Sequence, residues 1–238
     1  MTDPYLDPPG NDRWYTEESV RLPASFWCYE GEEEPAVGTL PSEANGFVTF
    51  GCLNSFTKVN ERVLRPWAAV LRRVEDSRLV LMAPTGGARD RVLRVLGEEG
   101  IEAGRVAFTG FLPRPEYLRK YRQIDIGLDT FPYNGHTTSL DALWMGVPVV
   151  TLVGEAAVGR AGWSQLNNMR LTELAASTGE EFVGVAVGLA RDVARLRELR
   201  MGLRERIKAS PLTDARGFAR GIEAAYRMMW RRWCESGE

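Results

Sequence analysis

Two short runs hold the residue types best suited to gripping a phosphate: Asn54-Ser-Phe-Thr-Lys58 and Asp129-Thr-Phe-Pro-Tyr-Asn-Gly-His-Thr-Thr-Ser-Leu-Asp141. The chain prefers arginine, and of its 30 basic residues only Lys58, Lys120 and Lys208 are lysines. A lysine is a compact, strongly hydrated point charge that commonly binds phosphate, although a lysine exposed at a helix start accounts for Lys58 as simply. In the second run Pro132 and Gly135 force a turn, and Thr137 or Thr138 can cap a helix that opens there. Such a helix points free N–H groups and the positive end of its dipole outward, which suits an anion. The hydroxyls of Thr137 and Thr138 add donors, and His136, the only histidine, sits at the lip. Plain turn and cap chemistry, with Asn134 and Thr137 doing no more than closing the backbone, would use the same residues.

Other constellations carry less. Thr85-Gly86-Gly87 lacks the GK[ST] and GxGxxG context of a phosphate loop and reads as a turn. Asp125 and Asp129 stand four apart on a strand without a further carboxylate cluster, so a metal site is not expected; Asp129 reads as a cap for the turn that follows. Cys28, Cys52 and Cys234 show no zinc or disulfide spacing and suit a reducing compartment. A formal net charge of −2 gives no global field towards nucleic acid or an anionic membrane. The acidic, proline-rich amino terminus is no signal peptide, and no apolar run reaches membrane-spanning length. The chain reads as cytoplasmic.

The elements that must position these runs follow from periodicity. Residues 1–45 read as an extended arm: prolines and the acidic run 30–34 break any pattern, with one apolar island at 22–29. From Gly46 short apolar runs alternate with amphipathic stretches. Strands are expected at 47–50, 79–82, 106–108, 124–128 and 147–152. Between them, helices carry Val63, Leu64, Trp67, Val70, Leu71 and Val74, then Val92, Leu93, Val95 and Leu96, then 117–121 and 138–145. This alternation predicts an α/β fold, a Rossmann-like parallel sheet with helices on both faces, as one lobe over 46–238 that is helical from about 159. In such sheets ligands bind beyond the carboxyl ends of the strands, where both runs fall. The last helix bears Phe218, Ile222, Tyr226, Met229, Trp230 and Trp233 on one stripe, to be covered by the domain's own core or by a partner lobe.

The segments from Phe50 to Lys58, from Asp125 to Thr138, from Asp141 to Thr151 and Ser210-Pro-Leu212 resemble the C-terminal catalytic region of the protein O-GlcNAc transferase and SPINDLY family. The resemblance implies the C-terminal lobe of a GT-B glycosyltransferase, one of two Rossmann-like lobes that usually follow TPR repeats. The reaction it implies is metal-independent, inverting transfer of a sugar from a nucleotide donor to Ser or Thr hydroxyls of a protein. No cofactor is implied beyond the UDP-sugar co-substrate. By resemblance Lys58 holds the donor diphosphate and stabilises the leaving group, beside Asn54. Ser55 stands where the animal enzymes have a phosphate-contacting glutamine. His136, Thr137 and Thr138 match the diphosphate turn, Asp141 matches the aspartate that holds the ribose hydroxyls, and Arg114 falls at a ribose-binding lysine. Tyr117 replaces a histidine that packs on the uracil, and Lys120 matches a basic residue beside the nucleotide. His136 together with Asp141 looks like the O-GlcNAc enzymes and favours UDP, with UDP-GlcNAc as the expected donor. The lobe carrying most of the acceptor site and a catalytic histidine is expected on another chain or a longer protein. The alternative is a truncated, non-catalytic module that binds nucleotide sugar or a partner.

Overall fold

The structure is a computed structural model that describes residues 1–33 and 35–236. In chain order its elements are α1 (Pro41–Asn45), β1 (Thr49–Cys52), α2 (Glu61–Arg73), β2 (Arg78–Met82), α3 (Gly87–Glu98), β3 (Val106–Thr109), α4 (Arg114–Lys120), β4 (Ile126–Leu128), α5 (Thr137–Trp144), β5 (Val149–Leu152), α6 (Ala161–Asn168), β6 (Ala175–Ala176), α7 (Gly179–Arg191), α8 (Val193–Lys208) and α9 (Ala215–Ser236). The strands form one parallel sheet in the order β3-β2-β1-β4-β5-β6, with Phe50 in register with Leu79 on one side and Ile126 on the other. Successive strands step outward from β1 to β3, and the chain then crosses back to lay β4 on the other side of β1. That reversal leaves a crevice where the loops after β1 and β4 diverge.

The sheet forms where the apolar runs cannot be left in water. β1 and β4 are buried throughout. α2 starts at Asn60, whose side chain accepts from the Val63 N–H, and it turns Val63, Leu64, Trp67, Val70 and Leu71 fully inward. The Thr85-Gly86-Gly87 turn holds Gly86 at φ 82°, a backbone shape that costs other residues, and α3 opens directly after it.

Four expectations need correction. The first strand lies at Thr49–Cys52, two residues later than its apolar pattern suggested, and the fourth begins only at Ile126 because residues 121–123 form a turn of 3-10 helix. The stretch after 159 contains a sixth strand of two residues, Ala175–Ala176, too short and too bland to leave a periodic signature. The described residues of 1–45 contain little regular structure, yet several of them pack into the lobe. Leu6, Leu22, Trp27, Tyr29 and Leu40 are buried, and fully buried Asp3 accepts from the backbone of Tyr5, Leu6 and Phe26 and from Ser164 Oγ at 2.6–3.0 Å. Two arginines of α8 clamp the next part of the segment: Arg200 Nε donates to the Gly38 carbonyl, and Arg204 to those of Glu33 and Pro35, each at 3.0 Å. Glu34 of the acidic run and residues 237–238 lie outside the described residues.

The periodicity left two covers open for the stripe on α9. Its stripe is not covered by the domain's own core: Ala225 is its one buried residue among those described, while Tyr226, Trp230 and Trp233 are more than half exposed. The rings of Trp230 and Trp233 stack on each other with centroids 5.1 Å apart.

Candidate functional site

The turn between β4 and α5 is built around Asp129, which is almost fully buried at the end of β4. Its Oδ1 accepts from the backbone N–H groups of Thr130 (2.8 Å) and Gly135 (2.7 Å) and from Asn54 Nδ2 (3.3 Å); its Oδ2 accepts from Thr151 Oγ1 at 2.8 Å. The role of turn-former inferred for Asp129 is the one this geometry gives it. Burial pushes its carboxyl up to about 6 against the opposing pull of those hydrogen bonds. Asn54, also buried, joins the β1 loop to the turn by donating to Thr130 Oγ1 at 3.0 Å and accepting from Thr138 Oγ1. Asn134 anchors the far side through Thr130 O (2.8 Å) and the Val158 carbonyl (2.9 Å).

On this scaffold Lys58 reaches across from the β1 loop. Its ammonium donates to the Asn134 carbonyl at 2.8 Å and lies 4.1 Å from the Tyr133 ring centroid. Burial lowers its pKa, while the charge of Asp129 raises it. Two of its three N–H donors have no partner among the described residues. His136 packs between Trp27 and Tyr133, with ring centroids at 5.7 and 5.3 Å. Burial, then the charge of Lys58, lowers its pKa, so the imidazole is neutral at neutral pH. Its Nε2 is buried without a partner among the described residues.

His136 occupies the N-cap of α5 without a side-chain cap bond, and the cap expected of Thr137 or Thr138 is not made. Thr138 turns inward to Asn54 instead. The N–H groups of Ser139 and Leu140 bond to the His136 carbonyl, which leaves those of Thr137 and Thr138 as the helix's unpaired donors. Here the protein supplies a helix amino terminus, a lysine and a buried polar frame within one turn, an arrangement suited to an anion with several oxygens.

Beside the turn opens a crevice of about 600 Å³. It brings together Ser55, Arg114, Tyr117, Thr137, Thr138 and Asp141 of the expected site residues. Lys58, Asn54 and His136 are not in its wall: Lys58 is bonded to the Asn134 carbonyl, Asn54 to Thr138 Oγ1, and His136 faces a second cavity formed with the amino-terminal segment. Lys120 ends α4 and lies outside the crevice wall. Tyr117 is nearly buried, and its hydroxyl donates to Asp141 Oδ2 at 3.0 Å while its ring lines the crevice. Asp141 is not open to solvent; Arg114 covers it through two bonds of 2.7 and 2.8 Å, and these hydrogen bonds first, then the Asp141 charge, drive the arginine pKa up against the effect of burial. Sequence reasoning missed Tyr29 and Glu32, which contact this pair, and Phe111, exposed at the crevice mouth. The apolar island at 22–29 was the available sign that this segment packs onto the lobe.

The sheet order and the reversal between β1 and β4, with a phosphate-suited turn at that point, define a Rossmann-like lobe of the kind that GT-B glycosyltransferases pair. Solved structures agree. The O-GlcNAc transferase of Thermobaculum terrenum (K341M mutant) superposes with a TM-score of 0.90 at 38% identity, over all of this chain and 46% of that one. Sucrose-phosphate synthase from Thermosynechococcus elongatus shares the fold at 16% identity and a TM-score of 0.64. The model of glycosyl transferase family 41 matches residues 36–222, and the chain belongs to that family. Among curated relatives, the probable UDP-N-acetylglucosamine–peptide N-acetylglucosaminyltransferase SPINDLY of Oryza sativa subsp. japonica is 41% identical over 99% of this chain. The UDP-N-acetylglucosamine–peptide N-acetylglucosaminyltransferase of Caenorhabditis elegans is 32% identical over 83%. The chain spans 26% of the rice protein and 17% of the nematode one. Identity is thus higher to the rice protein than to the nematode one.

Proposed function

We propose that this chain is the donor lobe of a protein O-GlcNAc transferase-like enzyme, binding a UDP-sugar for inverting, metal-independent transfer to Ser or Thr hydroxyls. The observation that carries the reading is the convergence of Lys58 and the α5 amino terminus on one turn at the sheet's switch point. In the reaction the acceptor oxygen attacks the anomeric carbon as the bond from that carbon to the diphosphate breaks, and its electron pair passes to the phosphate oxygen. Lys58 and the free N–H groups of Thr137 and Thr138 stabilise that developing charge. Neutral His136 packs beside them without adding a positive charge of its own. The base that takes the acceptor proton belongs, on the family resemblance, to the other lobe.

Cationic and backbone donors can neutralise a diphosphate without a divalent ion. Titration calorimetry with UDP, UDP-GlcNAc and GDP-fucose, in excess EDTA, tests the reading. UDP and UDP-GlcNAc bind and GDP-fucose binds more weakly. Loss of UDP binding on chelation, restored by magnesium, contradicts the metal-free site, and a preference for GDP-fucose contradicts the donor.

A second reading is a module that binds nucleotide sugar, or a partner, without transferring the sugar. It predicts the same calorimetry and no transfer even when an amino-terminal lobe is supplied.

A further inference from the structure

The second cavity, of about 360 Å³, lies between the amino-terminal segment and His136, and the reaction proposed above makes no use of it. Three residues of its wall each bring a buried polar atom without a partner among the described residues: Thr2 Oγ1, Asp7 Oδ1 and His136 Nε2. Buried polar atoms are nearly always bonded, because one left unmet has lost its hydration for nothing. Of the six such atoms among the described residues, three meet in this one wall.

All three are held in place. Asp7 is 2% exposed, and its Oδ2 accepts from Ser19 Oγ at 2.7 Å with Arg21 at 3.7 Å, so Oδ1 is the unused end of a fixed carboxylate. Thr2 is pinned through its backbone, donating to the Val20 carbonyl at 2.9 Å and accepting from the Leu22 N–H at 2.8 Å. His136 stands between the rings of Trp27 and Tyr133. Tyr15 is the loose member of the wall. It is 42% exposed and leaves Oδ1 unbonded, although burial first, then the nearby Asp7 charge, raises its phenol pKa. Its ring can shift as a ligand enters.

Charge selects that ligand. Asp7, Glu17 and Glu18 line the cavity, and no lysine or arginine does. Of the nearby cations, Arg21 is paired with Asp12, Arg232 with Glu18, and Arg160 donates to the carbonyls of Tyr5 and Gly154. A carboxylate oxygen only accepts, a neutral imidazole accepts at the nitrogen that lacks the proton, and a threonine hydroxyl can accept as well. Three acceptors in an anionic wall match an ammonium, which is cationic and carries three N–H donors. Leu6, Phe26 and Val158 give apolar surface along which a methylene stem can lie behind such a head.

We infer that this cavity takes a lysine side chain of the polypeptide acceptor, its ammonium donating to Asp7 Oδ1, Thr2 Oγ1 and His136 Nε2. The inference rests on the donor-lobe reading and deepens it by naming a feature of the acceptor. His136 joins the two places: it occupies the N-cap of α5, and the Tyr133 ring beside it carries the Lys58 ammonium. A lysine seated in the cavity therefore holds the acceptor chain next to the turn where the diphosphate departs.

Because His136 is the only histidine, its ring is a single NMR reporter in histidine-labelled chain. The probe is a serine-containing heptapeptide with one lysine, titrated with UDP present. Versions with norleucine or trimethyllysine in its place, and spermidine, are the comparisons. The lysine peptide moves the His136 signals to saturation. Norleucine lacks the charge and trimethyllysine the N–H donors, so both peptides bind about tenfold more weakly, the scale of a hydrogen bond to a charged group. Asp7→Asn weakens the lysine peptide by about as much, and Thr2→Val by a few-fold. Both variants keep wild-type melting and wild-type UDP affinity. Equal binding of the norleucine or trimethyllysine peptide overturns the inference, and so does tighter binding of spermidine, which gives the cavity to a free amine. A His136 ring silent to the lysine peptide while UDP binds overturns it and leaves the donor reading standing. If Asp7→Asn loses affinity for UDP-GlcNAc but not for UDP, the cavity holds the sugar and the inference is wrong. If UDP itself does not bind, the donor reading fails, and the acceptor role of the cavity with it.

Discussion

At the residue scale, Lys58 is worth more than its charge alone. Its bond to the Asn134 carbonyl fixes the ammonium at the turn, and the remaining donors face no protein partner among the described residues. Replacing it with alanine should weaken UDP binding by about 1.5–3 kcal/mol, the range for a charge-assisted hydrogen bond, and leave uridine binding almost unchanged. Equal losses for the two ligands, measured by calorimetry, would mean that Lys58 supports the fold and not the phosphates. Asp129 carries a different signature. Its pKa is raised from 3.8 to about 6 in the folded state, so as pH falls the native protein takes up this proton before the unfolded chain does. The stability from this group is fully present below the unfolded value and is lost as pH rises through the folded one. Asp129→Asn has no such proton to bind. Urea denaturation should therefore show the wild type gaining stability relative to the variant between about pH 7 and about pH 4.5. A difference that is constant with pH would show that Asp129 is ionised throughout.

At the element scale, the turn between β4 and α5 depends on close packing of backbone against side chains. A Cβ placed on Gly135 lands on Ser139 Oγ, with Asn54 Oδ1 at 2.9 Å, and neither neighbour is free to yield because both are buried. Gly135→Ala is expected to cost about 1–3 kcal/mol, as overpacking of a tight site does, and to weaken UDP binding by displacing the start of α5. Thermal melting and calorimetry together check this, and a variant with wild-type melting and wild-type UDP affinity would show that the turn is slack. The same element shows what was legible beforehand. Pro132, Gly135 and the following threonines announced a turn and a helix start. That His136 would take the N-cap while Thr138 pointed inward depended on Asn54, which arrives from another strand, and no local rule contains that contact.

For the whole molecule, α9 presents an aromatic face to solvent. The aromatic rings of Tyr226, Trp230 and Trp233 are exposed. We propose that an amino-terminal lobe covers this face. Because both rings are more than half exposed, changing Trp230 and Trp233 together to serine should move stability by no more than about 0.5 kcal/mol each, as at other surface sites. The same change should abolish any stimulation of transfer by an added amino-terminal lobe. Stability loss well beyond that range would place the helix in the lobe's own core. In a radiolabelled-sugar assay the chain alone should bind donor yet transfer little, since in-line positioning of the acceptor hydroxyl supplies several kcal/mol of the barrier. Robust transfer by the unaided chain would contradict this.

The amino-acid sequence by itself determined the parallel α/β architecture, because buried strands and amphipathic helices leave periodic marks that survive without tertiary context. It also determined the turn at residues 129–138 and the family, through ordered runs such as those ending at Lys58 and Thr138. Tertiary structure alone decided three things. It packed several of the first 45 residues into the lobe, through Asp3, Arg200 and Arg204, whose partners are distant in sequence. It placed Tyr29 and Arg114 on Asp141, closing a carboxylate that in the sequence looked open for a ligand. It also left the stripe of α9 in solvent. Periodicity records that a face is apolar or that a residue can bond, whereas what meets that face, or accepts that bond, is set by segments brought together only when the chain folds.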